Sequence, residues 1–163
     1  WEEVKTNERA LQMYSHILIA TDGSELAQRG MDHGLSLAKQ LGSKCTIVNV
    51  SEPLSPYLFG GEMGAGAAVA TIDFDTYRRQ QRETATAILD KAKAAAAGIG
   101  VAADTVYIEE MRPAEAIVDI AKERNCTLIV MASHGRRGLG RLFLGSQTIE
   151  VLTHSPVPVL VVR

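Results

Sequence analysis

The amino-acid sequence predicts an α/β fold: an open five-stranded parallel sheet with helices on both faces. Three observations carry that prediction. The strand segments are short and almost continuously apolar, the mark of a sheet covered on both sides rather than one facing water. Segments with helical spacing of apolar residues separate them. Right-handed crossovers then distribute those helices to the two faces. The chain has 163 residues, 46% of them hydrophobic and 22% charged, which fits one globular domain and excludes disorder or a coiled coil.

Each element has its own signature. Residues 1–13 are polar, lack a period and contain no Met before Met13, so they read as an extension or a cloning tail ahead of a domain spanning 14–163. His16-Ile17-Leu18-Ile19-Ala20-Thr21 reads as the first strand, ended by the turn Asp22-Gly23-Ser24. Ala27, Met31, Leu35, Ala38 and Leu41 recur at helical spacing, with Gly42 as the stop. Lys44 to Val50 is the second strand. Ser51 to Asp73 is rich in Gly and Pro and has little period, a long excursion of the kind kept for function. Phe74 to Ala97 is a long helix closed by Gly98, and Thr105 to Glu109 a third strand. Pro113, suited to a first helical position, opens a helix through Arg124. Thr127 to Ala132 is the fourth strand, Ser146 to His154 a short helix, and Val157 to Val162 the last strand.

Composition excludes several functions. Seventeen basic against nineteen acidic side chains leave a net charge of −2, too weak a field to hold nucleic acid or an anionic membrane surface. The apolar runs Leu128–Ala132 and Val159–Val162 are far short of the ~20 residues of a spanning helix, and nothing resembles a signal peptide. No nucleic-acid or membrane partner is therefore expected, and a cytoplasmic location is. Cys45 and Cys126 have neither framework nor metal-ligand spacing and read as small buried hydrophobes.

In an open parallel sheet, ligands bind beyond the carboxyl ends of the strands where the winding reverses. Two segments stand there. The one after the fourth strand, Ala132 to Ser146, carries Gly135, Gly138, Gly140 and Gly145. Glycines allow positive φ and close approach of a ligand, while Gly145-Ser146 opens a helix whose N–H groups and dipole favour phosphate. The segment lacks the lysine of a P-loop, and Phe143 stands at the third glycine of a dinucleotide fingerprint. A surface loop with Ser146 as a plain N-cap is the competing reading. The other segment holds Asp22, able to accept hydrogen bonds from a ribose or to cap the following helix, although Ser24 already suits the cap. Arg136, Arg137 and Arg141 form a basic cluster able to neutralise phosphates; a solvated loop is equally consistent with them. His134 lies inside the same loop. His16, His33 and His154 read as ordinary surface or satisfied positions, and the run Glu109-Glu110-Met111-Arg112 as a solvated loop. No catalytic residues and no metal site can be assembled.

These residues carry a resemblance. Ile17-Leu18-Ile19-Ala20-Thr21-Asp22-Gly23-Ser24 resembles the opening strand of the universal stress protein family. Ser133-His134-Gly135, nine residues, Gly145-Ser146 and then Pro156-Val157-Pro158-Val159-Leu160-Val161-Val162 is similar to the family's ATP-binding subgroup, whose pattern is Gly, two residues, Gly, nine residues, then Gly with Ser or Thr. Ala132 stands where the pattern has its first glycine, adding one methyl near the phosphates. The resemblance runs from Met13 to Arg163. It implies the adenine nucleotide alpha-hydrolase-like sheet of order 3-2-1-4-5, in which the cysteine strands are ~9–10 Å apart and a disulfide is disfavoured.

By the same resemblance the cofactor is ATP, with or without Mg²⁺. Ala20 lines the base pocket, the Val50 backbone meets the adenine edge and Asp22 the ribose. Around the phosphates stand Ala132, His134, Gly135, Arg136, Gly145, Ser146 and Gln147. It also implies a homodimer through the last strand, at Val157, Val159 and Val161, since an apolar edge invites pairing. The expected function is an ATP-binding stress-response regulator in which occupancy changes loop conformation and the choice of an unidentified protein partner. Two alternatives stay open: a dimer that binds no nucleotide, and a slow ATP hydrolase, against which the missing general base argues.

Overall fold

The computed structural model describes residues 13–53, 73–135 and 144–163. Its elements are β1 (His16–Ala20), α1 (Glu25–Leu41), β2 (Lys44–Val50), α2 (Phe74–Gly98), β3 (Ala103–Ile108), α3 (Pro113–Glu123), β4 (Leu128–Ala132), α4 (Ser146–His154) and β5 (Val159–Val162). All the strand pairs are parallel, in the order β3-β2-β1-β4-β5. The order expected from the resemblance is therefore the order found. Residues 1–12 of the expected tail 1–13, and most of the excursion after Ser51, lie outside the described residues.

Alternation along the strands builds two cores. Ile17, Ile19, Cys45, Ile47, Leu128 and Val130 face Met31, Leu35 and Ala38 of α1 and Leu89, Ala92 and Ala96 of α2. Leu18, Ala20, Val48, Ile129 and Met131 face Ala114, Ile117 and Ile120 of α3 and Val151 of α4. Sheet faces covered on both sides explain why the strands read as unbroken apolar runs. The two cysteines are free and buried, and burial pushes the Cys45 thiol up to about 12 and the Cys126 thiol to about 11.

Helix ends follow the sequence signals. Ser24 accepts from the Ala27 N–H at 3.2 Å, and Gly42, at φ 64°, donates to the Ala38 carbonyl to end α1. β1 and β4 are each one residue shorter than expected, ending at Ala20 and starting at Leu128, and β5 and β3 differ by more. β5 starts at Val159 rather than Val157: prolines 156 and 158 have no N–H to give a ladder, although the Pro158 carbonyl still accepts from Ile129 at 3.0 Å. β3 starts at Ala103, paired with Cys45, and ends at Ile108. Glu109 and Glu110 have left the sheet, Glu110 with φ of 51°.

Those two glutamates lie exposed in the solvated loop expected there, and the structure adds their partners: Glu109 takes a two-pronged contact from Arg82 (3.0 and 2.9 Å) and Glu110 takes Arg78 at 2.7 Å. Arg112 joins Glu115 and Glu150, linking α3 to α4.

Candidate functional site

The site lies where β1 and β4, adjacent in the sheet, send their chains in opposite directions, into α1 on one face and towards α4 on the other. Around their carboxyl ends is a cavity of about 530 Å³, within the usual range for a small-molecule site. Its floor and walls include Ala20, Val50, Pro113, Ile117, Met131 and Ala132, and its rim Asp22, His134, Gly135, Gly145, Ser146 and Gln147. Thus nine of the ten candidate residues converge on one opening. The tenth, Arg136, lies outside the described residues, as do Gly138, Gly140, Arg137 and Arg141.

The β1 side is built as an organised turn. Asp22 Oδ1 accepts from the Ser24 N–H at 3.0 Å and Thr21 Oγ1 from the Gly23 N–H at 3.2 Å. Ser24 is thereby placed to cap α1, and Asp22 is relieved of that duty. Asn49, buried at the end of β2, donates to the Thr21 carbonyl at 2.7 Å while the Thr21 N–H donates to Val48 at 3.0 Å. These two bonds hold the ends of β1 and β2 together directly beneath Asp22.

Across the opening, Gly135 touches that acid. A Cβ at position 135 would stand 2.7 Å from Asp22 Oδ2, closer than real contacts allow. Gly145 is equally confined: its Cβ would fall 3.2 Å from His134 Cα and Cβ and 3.4 Å from the Ser133 carbonyl, to which its own N–H donates at 2.8 Å. Neither glycine has positive φ. Of the two reasons expected for Gly135, dihedral freedom and close approach, the geometry there shows lack of space, and lack of space also confines Gly145.

The start of α4 departs from the plain-cap reading. The N-cap is Gly145, at φ −64° and ψ 152°, with no side-chain cap bond, and Ser146 is the first helical residue. A cap without a side chain leaves the positive end of the helix dipole directed at whatever occupies the cavity. Gln147 has a structural engagement: its Oε1 accepts from the Ala114 N–H at 2.9 Å, supplying the cap that Arg112 does not give α3. His134 Nδ1 lies 3.1 Å from Ser133 Oγ.

Three contributions had escaped sequence reasoning. Thr148, buried in α4, donates to the carbonyls of Ala132 and Ser133 at 3.2 and 2.9 Å, pinning the end of β4 to α4. Asn49 was signalled only by being polar inside an apolar strand. Tyr77, Gln81 and Thr84 of α2 form the far wall, with Gln81 Nε2 donating to the Tyr77 hydroxyl at 3.0 Å. Among the described residues no group of three His, Cys, Asp or Glu side chains is arranged to hold a metal, and no helix is long and apolar enough to cross a membrane.

The family model for the universal stress protein family matches residues 13–163. The chain is 32% identical over 151 residues to universal stress protein YxiE of Bacillus subtilis, which covers 93% of this chain and the whole of the relative. Among solved structures, the protein MJ0577 superposes with a TM-score of 0.75 at 26% identity, over 92% of this chain and 96% of that one. A universal stress protein from Archaeoglobus fulgidus, solved in complex with dAMP, superposes at 0.62 with 20% identity, over 93% and 99% of the two chains; at that distance the likeness is one of fold.

Proposed function

The chain belongs to the universal stress protein family, and from that premise we propose that it is a cytoplasmic ATP-binding stress-response regulator of the ATP-binding subgroup. Occupancy acts on the loop after Gly135 and thereby on a protein partner. The observation that carries the reading is the meeting of Asp22, Gly135 and the uncapped start of α4 around one cavity. An acid and a set of helical N–H groups across a partly apolar floor suit the three parts of an adenine nucleotide. Ala20 and Val50 line the place of the base, Asp22 accepts from the ribose, and the Gly135, Gly145 and Ser146 N–H groups, beside His134, face the phosphates. Binding rather than turnover is the activity proposed: the described lining supplies an acid and backbone N–H groups that hold a nucleotide, and His134, the imidazole on the rim, has its Nδ1 beside Ser133 Oγ at 3.1 Å.

Ala132 bears on affinity. Its methyl is buried and lines the cavity, so it trims the space that glycine would leave without closing it. Acid extraction of the purified protein should release an adenine nucleotide, and calorimetry should show Asp22→Ala weakening ATP binding about tenfold or more, as expected for a lost charged acceptor. No released nucleotide together with no titratable ATP binding would favour the non-nucleotide dimer instead.

The edge strand supplies the second part of the proposal. β5 ends the sheet, Val159 and Val161 are half-buried and Leu160 is 39% exposed. A two-fold related copy pairing antiparallel there would satisfy the free ladder groups and cover Leu160. Light scattering should give twice the chain mass at micromolar concentration; a monomer mass would remove the dimer from the proposal.

A further inference from the structure

The far wall of the cavity is attached in an unusual way. All the buried residues of α2, namely Ala85, Leu89, Ala92 and Ala96, lie in its later turns. None of the positions from Phe74 to Thr84 is buried, yet Tyr77, Gln81 and Thr84 from that half face the cavity. A helical segment without apolar burial has little holding it against the body.

Among the described residues, what ties it down is ionic. Arg78 Nε reaches Glu110 Oε1 at 2.7 Å, and Arg82 Nε and Nη2 reach the two Glu109 oxygens at 3.0 and 2.9 Å, a fork-to-fork geometry. The acids themselves stand on a fixed support. Ser51 N–H donates to the Ile108 carbonyl at 2.9 Å and Met111 N–H to the Ser51 carbonyl at 3.1 Å, while Tyr107 and the Glu110 N–H both donate to Ser51 Oγ. That junction joins the ends of β2 and β3 at the cavity mouth. The pairing lowers the Glu109 carboxyl below its ordinary range and raises both guanidinium groups, in each case chiefly through the hydrogen bond between the partners.

We propose that the first three turns of α2 are a hinged wall of the nucleotide cavity, hinged near Ala85 and held closed by the Arg78–Glu110 and Arg82–Glu109 pairs, so that these four positioning residues set how long a bound nucleotide is retained. The proposal rests on the nucleotide reading of the cavity. Because all four side chains are solvent-exposed, the clasp is weakened by salt while the buried anchor at Leu89 and Ala92 is not.

The test pairs a ligand-free and a ligand-bound measurement. In the Glu109→Gln/Glu110→Gln variant, amide hydrogen exchange at residues 77–84 should quicken about tenfold, the product of two exposed pairs each worth a few-fold, with residues 89–96 unchanged. Release of a fluorescent ATP analogue in stopped flow should quicken by a similar factor. The exchanged pair Arg82→Glu/Glu109→Arg should recover most of the slow exchange that Arg82→Glu alone loses, separating the clasp from general damage. Unchanged exchange at 77–84, or no recovery in the exchanged pair, overturns the clasp. Faster exchange with unchanged release overturns the wall's role in retention. A wild-type protein that takes up no ATP analogue removes the nucleotide reading and with it the retention role, and the exchange data still decide whether the clasp holds the helix.

Discussion

Gly135→Ala is expected to lower ATP affinity about a hundredfold, the equivalent of one or two hydrogen bonds to a charged acceptor at ~1.5–3 kcal/mol each. The added methyl would stand 2.7 Å from Asp22 Oδ2, and the carboxylate is the partner able to move, being the far end of a flexible side chain. It would swing away from the position proposed for meeting a ribose. Position 135 is exposed and its backbone is not in the left-handed region, but moving the carboxylate also loosens its hydrogen bond to the Ser24 N–H, so Tm should fall by about 2–4 °C, the scale of one hydrogen bond in a domain of this size. Gly145→Val differs because its Cβ meets His134 Cα, which belongs to the backbone, at 3.2 Å. That variant should lose ATP binding together with some stability. Calorimetric titration and scanning calorimetry on the two proteins separate the cases. ATP affinity retained in Gly135→Ala would show that the acid and the loop do not serve one ligand.

The contrast between those glycines shows what residue order can and cannot express. The strands were legible because a sheet buried on both faces needs apolar residues at successive positions, as in Leu128–Ala132. The meeting of Asp22 with Gly135 followed from placing β1 beside β4, a neighbour relation that came from the resemblance rather than from the residues. Why position 135 must be small was not legible, since glycine reads alike whether dihedral or space demands it. Nor did spacing connect Arg82 with Glu109, 27 residues apart, because rules for helical pairs reach only one turn. Gln147 came to the site from the resemblance and lines the cavity, but that its Oε1 also accepts from the Ala114 N–H and so serves α3 could not be read from residue order. The wall from α2 could not be read at all. Which side of a long polar helix faces the cavity depends on how the helix enters, and the preceding segment has no periodicity from which to judge it.

Gly34→Leu is expected to destabilise the protein by about 3 kcal/mol, the upper range for overpacking a closed interface, and to lower Tm by about 6–12 °C for a domain of this size. A Cβ at position 34 would lie 2.7 and 2.8 Å from Ile19 Cδ1 and Cγ1 and 3.4 Å from Val130 Cβ. Ile19 and Val130 are fully buried and have no empty side to turn to, so a branched side chain forces α1 off the sheet. Gly34→Ala provides a graded control: its methyl meets Ile19 Cδ1 and Cγ1 at 2.7 and 2.8 Å, so although alanine regains ~1 kcal/mol of helix propensity it should still destabilise, by about 1 kcal/mol and less than leucine. The displacement in the leucine variant does not stop at the core. Gly30, one turn earlier, lies against the Ala132 backbone, where a Cβ would meet the Ala132 nitrogen at 3.4 Å, and α1 begins from the Ser24 cap that Asp22 organises. Lifting α1 therefore moves both sides of the cavity, and ATP affinity should fall in Gly34→Leu although residue 34 does not line it. Urea unfolding and calorimetric titration read the two effects separately. A leucine variant melting within about 2 °C of wild type would mean that α1 does not pack through its glycines; full destabilisation with unchanged ATP affinity would uncouple the helix from the site.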